Sequence, residues 1–120
     1  MTKIYLTIGC AAWLFISCGD NKTAGIEILS PKNGQFFPAG ATIPVVVKIT
    51  DDGDAILNEE LEVTSSKGNV VIDFEDDAFS FDYYINQSFT GQAGTTYLIE
   101  AKARGGHGNW SKESVAITVN

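Results

Sequence analysis

Beyond residue 25, apolar side chains return at every second position in one short segment after another, and no window carries the 3.6-residue period of a helix. Ile26-Glu27-Ile28-Leu29 opens the series and runs into the turn-forming Ser30-Pro31-Lys32-Asn33-Gly34. Ile43, Val45, Val47 and Ile49 then alternate with Pro44, Val46 and Lys48, and Pro44 puts the start of this strand at an edge or a bulge. Leu61 and Val63 face Val70 and Ile72 across Ser65-Ser66-Lys67-Gly68-Asn69, the pattern of a hairpin. Phe79, Phe81, Tyr83 and Ile85 fall on one face, as do Tyr97, Ile99, Ala101 and Ala103; Val115, Ile117 and Val119 close the chain. Seven short strands with turns between them predict an all-β sandwich. The choice of side chains agrees. Ile, Val and Phe each outnumber Leu, and branched or aromatic groups fit a pleated surface better than a helix.

The first 25 residues differ in kind. One positive charge, Lys3, precedes an unbroken apolar run over 4–16, and small Ser17 follows it. Those three regions in that order make a signal peptide. The run is 13 residues long, short of the roughly 20 that span a hydrocarbon core as a helix. Phe15-Ile16-Ser17-Cys18 resembles the lipobox of bacterial lipoproteins, with Phe15 where that family usually has Leu. The resemblance implies that the Cys18 thiol takes a diacylglycerol and that cleavage just before it makes Cys18 the first mature residue. One acyl chain anchors marginally, whereas two or three hold essentially permanently. Two other readings stay open: a signal cleaved to release a secreted protein, and a Cys10–Cys18 disulfide, which export permits although Cys10 lies in the segment to be removed. The expected organisation is a lipoprotein signal peptide over 1–17, a lipidated cysteine and linker over 18–25, and one domain over 26–120. Seven linker residues reach at most about 23 Å, so the tether is short.

Within the domain, Gly94-Thr95-Thr96-Tyr97-Leu98-Ile99-Glu100-Ala101-Lys102-Ala103 resembles the sixth strand of fibronectin type III and other bacterial immunoglobulin-like domains. There a tyrosine near the strand start bonds back to the backbone, the role the resemblance gives Tyr97. Ile28-Leu29-Ser30-Pro31-Lys32-Asn33-Gly34 and Gly108-Asn109-Trp110-Ser111 resemble the same domains as they occur on lipoproteins of Bacteroidota-type bacteria. The implied fold is an immunoglobulin-like β-sandwich of about seven strands. The implied location is the cell envelope, most naturally the outer membrane, on either its periplasmic or its surface face. Acidic residues just after the cysteine direct surface export in such lipoproteins, and Asp20 is the only one here.

Charge narrows the partners. The chain carries −7, and losing Lys3 with the signal leaves 7 basic against 15 acidic residues, or −8. Such a domain is repelled by phosphates, which argues against nucleic acid. There is no HExxH, GxSxG, phosphate loop or zinc-binding cysteine pair, and His107 is the only histidine. No enzyme is expected. Gly105-Gly106-His107-Gly108 reads as a flexible hairpin tip.

With strands lettered A to G, Asp51, Asp52 and Asp54 fall in the BC loop, Glu75, Asp76 and Asp77 in the DE loop, and His107, Asn109 and Trp110 in the FG loop. In an immunoglobulin-like sandwich these loops share one pole. Hard cations take several oxygens at once, so Asp51, Asp52, Asp54, Asp76 and Asp77 are candidate Ca²⁺ ligands, with plain solvated loops as the alternative. Calcium-binding cadherins carry an Asp shortly after the sixth strand, where this chain has Arg104. Trp110 and His107 are candidate ligand-binding residues, Trp110 as a platform for a sugar face; otherwise its ring covers the end of the core. Of Phe36 and Phe37, one is expected to pack inward. Strand A runs antiparallel to B, so the chain enters at the pole where B ends, beside the acidic loops. The expected function is a membrane-anchored, non-enzymatic envelope lipoprotein that binds or adheres, with a glycan or another envelope protein as partner. The alternatives are a structural accessory subunit of an outer-membrane assembly and a Ca²⁺-binding immunoglobulin-like module.

Overall fold

The period-two segments become eight strands in a computed structural model that describes residues 22–120. The signal segment and Cys18 lie outside the described residues. The strands are β1 (Gly25–Ser30), β2 (Phe36–Phe37), β3 (Thr42–Thr50), β4 (Ile56–Ser65), β5 (Val70–Asp76), β6 (Asp82–Thr90), β7 (Thr95–Gly105) and β8 (Trp110–Val119). They form a three-stranded sheet, β1-β3-β6, and a five-stranded sheet, β2-β8-β7-β4-β5. The strand beyond the expected seven is β2, two residues long and parallel to β8 through Phe36↔Thr118 and Phe37↔Val119. A two-residue strand is too short to leave a period in the sequence. Phe37 packs against the core and Phe36 stays 67% exposed, the division expected of that pair.

The core lies between the sheets. Ile43, Val45, Val47 and Ile49 of β3 and Ile85 and Phe89 of β6 face Leu61, Val63, Tyr97, Ile99, Ala101, Ile117 and Val119 of the larger sheet. Burying such aliphatic side chains is worth about 1.5–3 kcal/mol each. Pro44 sits beyond the last β1 pair, Ser30↔Val46, next to the bulge in β1. Tyr97 is buried with its ring 4.8 Å from that of Phe89. Its hydroxyl accepts a hydrogen bond from the Gln92 backbone N–H at 2.9 Å, the corner expected at the start of this strand.

Two details differ from the sequence reading. The 65–69 turn closes the predicted hairpin, Ser65 N–H donating to the Asn69 carbonyl at 2.8 Å. Its register is Val63↔Ile72 and Leu61↔Phe74, with a shift that sets Val70 opposite Thr64 and leaves Val70 exposed. Phe79 and Phe81 do not join Tyr83 and Ile85 on the core face. Ser80 pairs with Ile56 as an isolated bridge, Phe79 takes a positive φ of 53°, and β6 begins only at Asp82. The reversed backbone at Phe79 breaks the alternation, and both rings stay in solvent.

One end of the sandwich gathers several connections. Gly25 pairs with Thr50 and Thr50 with Asp82, while Asn109 Nδ2 donates to the Lys22 carbonyl at 3.0 Å. The chain therefore enters beside the β3–β4 and β7–β8 turns, as the strand directions required.

Candidate cation site

The β3–β4 turn is shaped by its own aspartates. Asp51 Oδ1 accepts from Gly53 N–H at 2.8 Å and Asp52 Oδ1 from Asp54 N–H at 3.0 Å, two successive Asx-type turns. Gly53 supplies the φ of +107° between them. The Asp52 side chain turns inward and is only 8% exposed. Its Oδ2 accepts the backbone N–H of His107 at 3.2 Å, which ties this turn to the one between β7 and β8. Burial alone would push the Asp52 carboxyl up. The N–H donors of Asp54 and His107 and the nearby imidazole outweigh it and hold the carboxyl below its ordinary range.

Gly105 and Gly106 make this approach feasible. A Cβ at Gly105 would overlap the Asp52 carboxylate, and one at Gly106 would stand 2.5 Å from Asp54 Cβ. The expected flexible hairpin tip is thus a packed contact, and both glycines are site residues that the sequence reading missed. His107 Nε2 lies 3.5 Å from Asp54 Oδ2. Asp52, Asp54 and His107 each offer a ligand atom within 4.8 Å of the others. A buried carboxylate, a solvent-facing carboxylate and an imidazole therefore converge, with backbone where neighbouring side chains would stand.

The other candidate ligands are engaged with other groups. Asp51 is engaged in its own turn. Asp76 and Asp77 are drawn away because β5 pairs with β4, opposite Glu59. Asp76 Oδ2 accepts from the Tyr83 hydroxyl and its Oδ1 from Asp77 N–H at 2.8 Å. Asp77 Oδ1 accepts from Asn58 Nδ2 at 2.6 Å, and Asn58 Oδ1 accepts from Arg104 Nε at 2.8 Å. Burial and the adjacent Asp76 carboxylate push the Tyr83 hydroxyl up to about 12.

Beside this network sits Glu59, fully buried. Its Oε1 accepts from Ala78 N–H at 3.3 Å, and its Oε2 has no hydrogen-bond partner. Burial first, then the charges of Asp76 and Asp77, raise its carboxyl above the ordinary range, against the opposing Ala78 bond. The sequence carried a signal for it, since Glu59 is in phase with Leu61 and Val63.

Trp110 does not cover the end of the core. It pairs with Arg104 across β7 and β8, is 46% exposed, and has Lys102 Nζ and Arg104 Cζ each 5.5 Å from its ring centroid. Those cations interact with the π face.

No family model matches the chain, and no curated protein does. Among solved structures, the CARDB domain of the PF1109 protein from Pyrococcus furiosus, crystallised in complex with di-metal ions, is similar with a TM-score of 0.57. The match covers 83% of this chain and 90% of that one at 12% identity. The fold is an immunoglobulin-like β-sandwich. The two-sheet arrangement of strands and the Tyr97 corner agree with that assignment.

Proposed function

We propose that this chain is a non-enzymatic binding module of the bacterial cell envelope, held at the outer membrane by lipid on Cys18, with a divalent cation as ligand at the β3–β4 and β7–β8 turns. The observation that carries the ligand is the convergence of Asp52, Asp54 and His107 within 4.8 Å. The metal-bound CARDB domain of similar fold supports it. The residues fit an ion: each Asp52 oxygen accepts one N–H and keeps a second lone pair, and Gly106 leaves room beside Asp54. One imidazole and two carboxylates suit Zn²⁺ or Mn²⁺ better than Ca²⁺, which takes about six to eight oxygens. Isothermal titration of the membrane-extracted chain with Zn²⁺, Mn²⁺ and Ca²⁺ tests this. One-to-one binding weakened at least about tenfold by Asp54→Asn and by His107→Ala supports the site; affinity untouched by both removes it.

The anchor is supported by the apolar run over 4–16 followed by Phe15-Ile16-Ser17-Cys18. Intact mass of the extracted protein tests it, with a start at Cys18 plus acyl mass expected. An unmodified thiol there refutes it. A second ligand reading, a glycan, is favoured by the half-exposed Trp110 ring on the outer sheet face. It requires saturable glycan binding that Trp110→Ala abolishes. A stable complex co-purifying in mild detergent would instead favour the accessory-subunit role.

A further inference from the structure

Two phenylalanines stand in solvent where the chain enters the fold. Phe79 is 69% exposed and Phe81 59%. They flank Ser80, whose backbone exchanges two hydrogen bonds with Ile56, at 2.7 and 3.2 Å. The Phe81 carbonyl accepts Asp51 N–H at 3.1 Å. This segment is therefore pinned at both sides and is not a loose loop. Phe79 keeps a left-handed φ of 53°, a conformation disfavoured for a side chain bearing a Cβ. The backbone thus holds two large apolar groups outward that the alternating pattern would have turned into the core.

Their position selects a partner. Gly25, Thr50 and Asp82 lie in one row across β1, β3 and β6. Two strand spacings of about 4.8 Å put the entering chain only about 10 Å from the residue after Phe81. Cys18 precedes Gly25 by seven residues, a reach of at most about 23 Å. Any lipid on Cys18 therefore keeps this end within a short distance of the bilayer. Phe36, of similar exposure, sits at the opposite end, where β2 pairs with the last residues of β8.

We infer that Phe79 and Phe81 form an aromatic lip that docks on the lipid surface to which Cys18 is anchored. The inference rests on the proposed lipidation. Aromatic rings settle well at the boundary between headgroups and acyl chains. The acidic side chains around the lip, Asp51, Asp54 and Asp82, repel an anionic surface, so the matching surface is zwitterionic. Docking would fix the orientation of the sandwich and leave its far end and outer sheet faces to other partners.

The test uses the full lipidated chain in phosphatidylcholine vesicles, carrying Phe79→Trp, Phe81→Trp or Phe36→Trp, with the unmodified chain subtracted as background. The reporters at 79 and 81 should be blue-shifted and quenched at least about twofold by lipids brominated near the headgroup end of the acyl chains. The reporter at 36 should be quenched by aqueous acrylamide instead. Replacing half of the lipid with phosphatidylglycerol should weaken lipid quenching at 79 and 81. Flotation with the vesicles but no lipid quenching at 79 or 81 overturns the docking and leaves the anchor intact. Equal lipid quenching at all three positions also overturns it. Failure of the unmodified chain to float overturns the anchor and the docking together.

Discussion

Replacing Glu59 by Gln should stabilise the domain at neutral pH. Glu59 is fully buried, and its Oε2 is left without a partner beside Asp76 and Asp77. Gln keeps an oxygen to accept the Ala78 N–H, now 3.3 Å from Glu59 Oε1, and removes the ionisable group. Gln leaves a polar Nε2 in place of Oε2, so the gain comes from losing the buried charge, whose unpaired burial costs at least about 1–3 kcal/mol. A domain of this size gains about 4–8 °C in Tm per kcal/mol, so the shift should be at least about 4 °C. The pH dependence follows from linkage. Burial raises the folded-state pKa of Glu59 above its unfolded value, so the folded chain holds the extra proton. The stability contributed by that proton is fully present below the unfolded pKa and is lost as pH rises through the folded one. The advantage of Glu59→Gln should therefore be small at pH 4 and full at pH 8. Thermal melts of the two proteins across that range are the assay. A Gln variant that is less stable at pH 8, or whose gain is the same at both ends, would refute the reasoning.

Tyr83 should ionise only at strongly alkaline pH: burial and Asp76 push it up to about 12, and absorbance titration should show a step there that Tyr83→Phe removes. Because its folded pKa is also raised, its contribution to stability should persist up to about pH 10 and fade toward pH 12. Gly106→Ala places a Cβ 2.5 Å from Asp54 Cβ; it should cost about 1–3 kcal/mol in denaturant melts and weaken cation binding in the same titration as Asp54→Asn. Tyr97→Phe strands the Gln92 N–H that the hydroxyl now satisfies at 2.9 Å, and urea unfolding should show a loss of about 1–3 kcal/mol.

The sheet interiors were legible because burial imposes a period of two, and Ile43 to Ile49 or Tyr97 to Ala103 obey it throughout. The Tyr97 corner was legible because its side chain acts within five residues of itself. What escaped depends on contacts far apart in the chain. Gly105 and Gly106 read as a loose tip because nothing local says that Asp52 and Asp54 will press against them. Asp76 and Asp77 do share the end of the sandwich that holds the 51–54 turn, where Ile56 bridges Ser80 and Thr50 pairs with Asp82. The pairing of β5 with β4 nevertheless turns them to Glu59 and Asn58 and not to Asp52 and Asp54. Phe79 and Phe81 continue the alternation in the sequence, and a single reversed φ at Phe79 ends it. That reversal carries no signal in a residue type that rarely adopts it.

The candidate cation site and the proposed aromatic lip belong to one end of the molecule, so electrostatics should couple them. Asp51 donates its N–H to the Phe81 carbonyl while its neighbours Asp52 and Asp54 face His107. A divalent ion held by Asp52 and Asp54 would offset two negative charges next to the lip. Near a lipid surface those charges act within about 8 Å at physiological salt, and the turn that carries them is bonded directly to the Phe81 carbonyl through Asp51. Cation loading should therefore strengthen lip docking most on vesicles containing phosphatidylglycerol and least on phosphatidylcholine alone. The same bromolipid quenching at Phe81→Trp, with and without Zn²⁺, measures it. Asp54→Asn should reproduce part of the gain without metal and remove the response to it. A metal response of equal size on both vesicle types, or one that survives Asp54→Asn, would show that the two features act independently.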